Sequence, residues 1–293
     1  MNIKSTNQPV LSDVAETGLL TFYCHVIESQ SSHPILDDPK AVEISKMINP
    51  IIANSPNRWL RNLAQGKVKD ELAVHITLRA KKYDEYARAF LKVNPSGTIV
   101  NLGCGMDSRF HRIDNGRVAF YDLDLPEMIE FKQRFYQETN RYHMLGISVF
   151  DYSWMDQVVK SGKGPFLFLA EGLFMYLEGS KVKDLVLKIQ SRFPGSELVC
   201  EVVTAFFARK PWNRMVALKM NQQLGVGKGA AFTFGIQNSR ELETWHPGIE
   251  YLEDWSYFDT RHPRLRWVGA MGKMKFMRDV QYTVHYRLNQ LAG

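Results

Sequence analysis

The sequence has 293 residues, of which 45% are hydrophobic and 23% are charged. These are ordinary values for a globular protein, so they exclude extensive disorder and a collagen-like chain. The 37 basic and 31 acidic residues leave a formal net charge of +6. No block of like charges accompanies this mild excess, so we expect no nucleic-acid partner.

The cysteines and the apolar runs predict a cytoplasmic protein. Cys24, Cys104 and Cys200 are odd in number and widely spaced, so they form neither a disulfide framework nor a thiolate metal site. The longest apolar run, 166–177, is too short to span a bilayer and contains Glu171. Because the N-terminal segment lacks the apolar core of a secretory signal, we expect no membrane association.

Residues 1–93 are predicted to form a helical cap that ends in a lead-in helix over 69–93. Apolar and aromatic residues recur in this helix at steps of three and four, among them Leu72, Ile76, Tyr83 and Phe90. This spacing places them on one inward face. Arg79 occupies the same face, which is an unusual place for a charged side chain.

Residues 94–205 alternate between strand and helix patterns and form the predicted cofactor-binding core. Strands are expected at 98–102, 118–123, 144–149, 166–170 and 197–203, with helices from about 105, over 126–138 and from about 180. This order predicts an α/β, doubly wound, mostly parallel sheet with a ligand crevice at the carboxyl ends of the strands. Residues 206–263 form an acceptor-side insert, and 264–293 contain closing strands at 265–270 and 280–288, all within a single domain 1–293.

A glycine-rich turn follows the first predicted strand. Gly103 and Gly105 would let a ligand approach the backbone closely. Asp124 lies 19 residues after Gly105, at the end of the next strand, where a carboxylate can accept hydrogen bonds from ribose hydroxyls. Both dinucleotide sites and S-adenosyl-L-methionine sites use this arrangement, so the turn alone does not distinguish them.

The charges around the turn favour S-adenosyl-L-methionine. Asp107, in the predicted first helical turn, would repel a diphosphate. Further acids stand at predicted strand ends: Asp122, Asp124, Asp151 and Glu171. A ring of acids suits a ligand that carries a sulfonium and an ammonium group. The alternative is that Asp107 only interacts with the helix dipole.

Arg79 provides a separate argument. A buried guanidinium needs an anionic partner, because leaving one buried charge unpaired costs about 3–5 kcal/mol. The carboxylate of the cofactor's amino-acid end is one candidate. The alternatives are pairing with an acidic residue of the protein and extension of the side chain to the surface.

Three motifs together resemble the leucine carboxyl methyltransferase family, and specifically its bacterial branch that acts in polyketide synthesis. They are NLGCGMDSRF at 101–110, FYDLDLPE at 120–127 and LAEGLFMYL at 169–177. The resemblance covers roughly residues 15–205 and has these motifs in the family's order and spacing. It implies a class I, S-adenosylmethionine-dependent methyltransferase fold and O-methyl transfer, typically onto a carboxylate.

The resemblance also implies roles for individual residues. Arg79 corresponds to the arginine that binds the cofactor carboxylate, and Gly103 and Gly105 to the turn around the cofactor. Asp124 corresponds to the ribose-binding acid, and Glu171 to the acid at the methionine end.

Adenine recognition departs from the family pattern. The family often has Asp-Leu after the third strand, whereas this chain has Ser148-Val149, with Asp151 three residues after Ser148. Either Ser148 replaces the family aspartate or Asp151 assists it.

No catalytic residue is assigned. None of the eight histidines stands in a recognisable base motif. An ionised carboxylate acceptor needs no general base, whereas a phenol does, so this pattern favours a carboxylate.

The acceptor pocket is expected between the cap and residues 206–262. Several aromatic side chains there could stack on a planar acceptor: Trp212, Trp245, Trp255, Tyr257 and Phe258. Arg209, Lys210 and Arg214 could pair with an acidic one. The same residues are also compatible with ordinary packing and solvated surface charge. Two other functions stay open, an NAD(P)-dependent oxidoreductase and a cofactor-binding module without catalysis.

Overall fold

The computed structural model describes residues 13–213, 232–260, 262–265, 278 and 280–290. Its centre is a seven-stranded sheet in the order β3-β2-β1-β4-β5-β7-β6. The strands are β1 (Thr98–Leu102), β2 (Ala119–Asp124), β3 (Tyr142–Gly146), β4 (Phe166–Ala170), β5 (Ser196–Val203), β6 (Ile249–Trp255) and β7 (Gln281–Leu288). Strands β1 to β5 are parallel, while β7 is antiparallel to both β5 and β6. The predicted α/β class and mostly parallel sheet are confirmed.

Helices cover both faces of the sheet. They are α1 (Asp13–Ser29), α2 (Pro39–Ala53), α3 (Arg58–Ala64), α4 (Asp70–Val93), α5 (Arg109–Ile113), α6 (Pro126–Lys132), α7 (Ser153–Ser161), α8 (Gly179–Arg192) and the short α9 (Ala205–Ala208). Alternate residues of a strand point to opposite faces, so Ile99 packs with the cap helices and Val100 with α7 and α8. None of the helices in the described ranges is both long and apolar enough to cross a membrane.

The cap helices position the site. Helix α4 turns back through residues 94–97 directly into β1, so its first half lies beside the carboxyl ends of the strands. Helix α1 packs against α2 and α4. It also lies on the glycine-rich turn, because a Cβ added to Gly18 would lie 3.6 Å from the Cα of Gly105.

Some predicted boundaries are displaced. Helix α5 begins at Arg109 rather than near Gly105, because φ angles of +66° at Gly103 and +50° at Gly105 lie outside the helical region. The third strand is Tyr142–Gly146 instead of 144–149, and α6 ends at Lys132 instead of 138.

The closing strands differ more. Leu265 ends a short 3-10 helix, Pro263–Leu265, and residues 266–270 of the predicted strand lie outside the described ranges. The partner of β7 is β6, within the segment that we expected to be an acceptor-side insert.

Candidate active site

The carboxyl ends of four parallel strands meet at the edge of the sheet where the ligand crevice is predicted. Strand β1 leads into the turn at Gly103, β2 ends at Asp124 and β4 is followed by Glu171. Strand β5 adds Glu201, a residue with no predicted role, and α4 adds Arg79 opposite β4. This is the edge at which open α/β sheets bind ligands.

Asp124 is anchored by the backbone. Its Oδ2 accepts a hydrogen bond from the Gly105 amide at 2.7 Å, and its Oδ1 accepts one from the Leu125 amide at 2.8 Å. Burial raises the pKa of this carboxyl, against the lowering effect of the two amides. The side chain is still partly exposed. Each carboxylate oxygen has a second lone pair, so both can also accept from a ligand hydroxyl.

Arg79 is buried, with 8% of its surface exposed. Its Nε donates to Glu171 Oε1 at 2.8 Å, and its Nη1 donates to Glu201 Oε2 at 2.9 Å. The protein therefore supplies anionic partners itself, which is one of the alternatives that the sequence left open. Nη2 faces Gly172, where an added Cβ would lie 3.5 Å away. The role of Arg79 toward a cofactor stays a prediction.

Glu171 bridges two guanidinium groups. Its Oε1 accepts from Arg79, and its Oε2 accepts from Arg109 Nη2 at 2.5 Å. Arg109 is fully enclosed and donates through Nε to Asp84 at 2.9 Å. The two guanidinium groups therefore fix the orientation of the Glu171 carboxylate.

Asp107 does not face the crevice as an isolated charge. Arg109 Nη1 lies 2.9 Å from Asp107 Oδ2, and Arg112 Nη2 lies 3.1 Å from its Oδ1. Burial acts to raise the pKa of Asp107, but the two arginines outweigh it and hold that pKa well below its usual range. The expected repulsion of a diphosphate cannot be assigned to Asp107 alone.

Asp107 and its arginines belong to a larger group of buried charges, which we call the ionic cluster. It joins three buried arginines, Arg79, Arg109 and Arg112, to five carboxylates, Asp38, Asp84, Asp107, Glu171 and Glu201. At its outer edge, His25 contacts Asp38 and the half-exposed Arg88 lies 3.8 Å from Asp84. The buried arginines leave an excess of two negative charges, which suits a cationic occupant.

Asp122 has a structural role. Lys132 Nζ donates to its Oδ2 at 2.7 Å and Tyr142 Oη donates to the same oxygen at 2.6 Å. Asn101 donates to Oδ1 at 3.0 Å. The carboxylate is buried with its partners and belongs to the interior, so its predicted place among acids that ring the crevice is wrong.

The three residues proposed for adenine differ in environment. Ser148 is partly exposed just beyond β3, and its Oγ accepts from the Phe150 amide at 3.3 Å. Val149 is buried in the core against α7 and α8. Asp151 is exposed and accepts from the Ser153 amide at 3.1 Å, at the start of α7. Their contacts with adenine stay predictions.

Two of the predicted acceptor aromatics are half-buried and pack against the core. Trp245 packs on Phe234, and Trp255 packs against Ile35 and Leu78 near the start of α4. They stabilise the fold, which agrees with the alternative of ordinary packing given for these residues in the sequence analysis.

Tyr257 and Phe258 stack on each other at 4.2 Å between ring centroids. The His75 ring lies 4.3 Å from Tyr257. His75 stands one helical turn before Arg79, so it lies on the same face of α4, further beyond the sheet edge.

An open groove lies beyond β5. Its walls include Phe206 and Trp212, whose ring centroids are 4.9 Å apart, together with the exposed Arg209 and Lys210. Arg214 lies outside the described ranges. Thr204, which follows the last residue of β5, lines the groove, so the groove lies at the carboxyl end of that strand.

Comparison with known proteins agrees with this architecture. The family model described as leucine carboxyl methyltransferase matches residues 19–190. The chain belongs to the leucine carboxyl methyltransferase family. It is accordingly an S-adenosyl-L-methionine-dependent methyltransferase, and the family assignment removes the oxidoreductase alternative.

Relatives extend the match over most of the chain. The tetracenomycin polyketide synthesis O-methyltransferase TcmP of Streptomyces glaucescens is 33% identical over 266 residues, covering 89% of this chain and 91% of TcmP. The S-adenosyl-L-methionine-dependent methyltransferase dpfgK of Gibberella zeae is 25% identical, covering 83% and 82%. A duf574 family crystal structure from Streptomyces avermitilis has a TM-score of 0.53 at 12% identity, covering 92% and 96%, and shows the shared fold.

The residues present fit the cofactor. The ionic cluster has a negative excess for a sulfonium and an ammonium, and Asp124 keeps acceptor capacity for ribose hydroxyls. Arg79 offers an Nη2 that makes no hydrogen bond within the described part of the chain. The donors and acceptors therefore match a zwitterionic amino acid joined to a nucleoside.

Proposed function

We propose that this chain transfers the methyl group of S-adenosyl-L-methionine to a carboxylate oxygen of an acidic, aromatic, polyketide-like small molecule. The observation that carries the cofactor part is the excess of carboxylates over arginines in the ionic cluster. The groove beyond β5 supports the acceptor part, because it combines an aromatic pair with two cationic side chains. TcmP, named for O-methylation in polyketide synthesis, adds a relative of matching chemistry.

We assign the cofactor contacts as follows. Arg79 binds the cofactor carboxylate and Glu171 its ammonium group, while Asp124 accepts from the ribose hydroxyls. Gly103 and Gly105 allow the backbone to approach, and the segment with Ser148, Val149 and Asp151 lines the adenine end. When bound, the cofactor supplies an activated methyl group and a neutral leaving group. The protein contributes alignment and exclusion of water.

His75, on the same face of α4 as Arg79, is not a suitable general base for a phenol acceptor. Burial and the neighbouring charge of Arg79 lower the pKa of His75 to about 3. An imidazole this weakly basic stays neutral at pH 7 and is a poor acceptor for the proton of a phenol, whose pKa is about 10. A carboxylate is already ionised at that pH and needs no base.

Transfer with methyl-labelled S-adenosyl-L-methionine tests the proposal. The acceptor panel contains planar aromatic acids, their methyl esters, in which the carboxylate is masked, and phenols of the same ring systems, in which a hydroxyl group replaces it. We expect label in the aromatic acids and loss of that label in mild base, because esters hydrolyse and aryl ethers do not. Base-stable label on the phenols would refute the carboxylate assignment.

The groove is tested separately. Exchanging both cations, Arg209→Gln and Lys210→Gln, should raise the KM for an acidic acceptor and leave cofactor affinity unchanged. The matched control replaces Lys188, a cation on α8, by Gln. An unchanged KM in the groove variant would remove the groove from the acceptor site.

A further inference from the structure

Glu201 is a buried acid at the carboxyl end of β5, next to the cofactor crevice. Only 2% of its surface is exposed. Its Oε2 lies 2.9 Å from Arg79 Nη1, and its Oε1 accepts from Gln281 Nε2 at 2.6 Å. Both oxygens are thus held, one by the arginine assigned to the cofactor and one by the neighbouring strand β7.

Glu201 changes the charge that a cofactor meets. Glu171 is shared between Arg79 and Arg109, and Glu201 is a second carboxylate on Arg79. The ionic cluster as a whole has two more carboxylates than buried arginines, and Glu201 supplies one of these two excess negative charges. Its burial keeps solvent from screening that charge, so its effect reaches further than that of a surface acid.

The amino-acid end of the cofactor carries one carboxylate and one ammonium. Without the charge of Glu201, the negative excess of the ionic cluster would fall from two to one. An additional carboxylate attracts the ammonium and opposes the carboxylate, so it favours ligands with a positive charge at this end.

We propose that Glu201 is a specificity-determining residue that makes the amino-acid pocket select for the ammonium group of the ligand. The proposal rests on the cofactor contacts assigned above. Glu201 acts through its charge and through Arg79, and it does not need to touch the ligand.

Three ligands distinguish the effect of the ammonium group from that of the carboxylate group. S-adenosyl-L-homocysteine carries both groups, S-adenosyl-3-thiopropylamine carries the ammonium alone, and 5′-methylthioadenosine lacks the amino-acid end. Their affinities are measured by calorimetry for the unmodified chain and for Glu201→Gln. Glutamine keeps the size of the side chain. Its oxygen can accept from Arg79 and its NH2 can donate to the Gln281 amide oxygen once that amide is turned over, so the main change is the charge.

For Glu201→Gln we expect affinity for the thiopropylamine to fall roughly tenfold relative to 5′-methylthioadenosine. S-adenosyl-L-homocysteine should change less, because weaker attraction of its ammonium is offset by weaker repulsion of its carboxylate. Glu197→Gln is the matched control, since Glu197 lies on the same strand and binds His285 at 2.9 Å. It should leave all three affinities unchanged.

A second variant keeps the proposal testable if the glutamine variant folds poorly. Glu201→Asp retains the charge and should retain the preference for the thiopropylamine. The proposal is overturned if Glu201→Gln weakens all three ligands equally, which indicates a structural role, or if Glu201→Asp loses the preference. Failure of the unmodified chain to bind S-adenosyl-L-homocysteine would instead refute the assigned cofactor site.

Discussion

The pairing of Arg79 with Glu201 can be measured as a coupling energy. Arg79→Met removes the guanidinium and leaves two buried carboxylates without it. Since both contacts are 2.8–2.9 Å long and shielded from solvent, we expect a loss of about 3–5 kcal/mol in the free energy of unfolding. That is a large part of the roughly 5–15 kcal/mol typical of a folded domain.

The double variant Arg79→Met/Glu201→Gln distinguishes the loss of the charge pair from the loss of side-chain packing. Removing the second charge relieves part of the penalty caused by removing the first. The combined loss should therefore be smaller than the sum of the single losses, by about 1–3 kcal/mol. Urea unfolding followed by both circular dichroism and tryptophan fluorescence gives these values and tests whether the transitions coincide.

Arg79→Lys serves as the control. It keeps one positive charge but cannot donate from two directions to Glu171 and Glu201, so its loss should lie between the unmodified chain and Arg79→Met. If the two single losses add to within about 0.5 kcal/mol, the residues do not interact energetically and the charge argument for the crevice fails.

Three further outcomes are expected. Gly172→Ala should cost about 1–2 kcal/mol, because φ is +63° there. It should also weaken S-adenosyl-L-homocysteine binding, since the new methyl group, 3.5 Å from Arg79 Nη2, takes space beside the donor assigned to the ligand carboxylate. Unchanged affinity in calorimetry would contradict this assignment. Lys132→Met should destabilise by about 3–5 kcal/mol in urea unfolding, because Asp122 keeps its hydrogen bonds from Tyr142 and Asn101 but loses its cation. Adding Asp122→Asn should restore part of the loss, and no recovery would contradict the pairing. Asp107 has a lower pKa in the folded protein than in the unfolded chain, so its stabilising contribution is complete above about pH 4 and is lost as the pH falls. The free energy of unfolding, measured as a function of pH below this value, should therefore change less steeply for Asp107→Asn. Identical pH profiles would exclude this contribution of Asp107.

The central strands were predictable because their residues are apolar on both faces. The segments 98–102 and 166–170 match β1 and β4 at both ends, since each is a short apolar run with glycine or proline before it. Strand β6 was missed because Glu250, Glu253 and Asp254 interrupt its apolar pattern. An edge strand that is half exposed tolerates these acids, and its pairing with β7 depends on a distant segment.

The site was predictable in its residue types but only partly in its pairing. The position of Arg79 on an apolar helix face left three alternatives open, and the structure shows one of them, a buried guanidinium paired with acidic residues of the protein. Glu201 was missed because it lies within a strand pattern that reads as core, 122 residues from Arg79 along the chain. The signal that could have found it was an acid within that apolar run, at the edge where Glu171 was already expected.

The ionic cluster has a consequence for any shortened form of the protein. Its charges come from the segment before α2, from α4, from the turn after β1, from α5 and from the ends of β4 and β5. A polypeptide that began at β1 would keep Arg109 and Arg112 but lose Asp38, Arg79 and Asp84. Glu201 would then lack Arg79, and Arg112 would lack Asp38 and Asp84. The helices that precede the sheet are therefore required for the stability of the sheet domain.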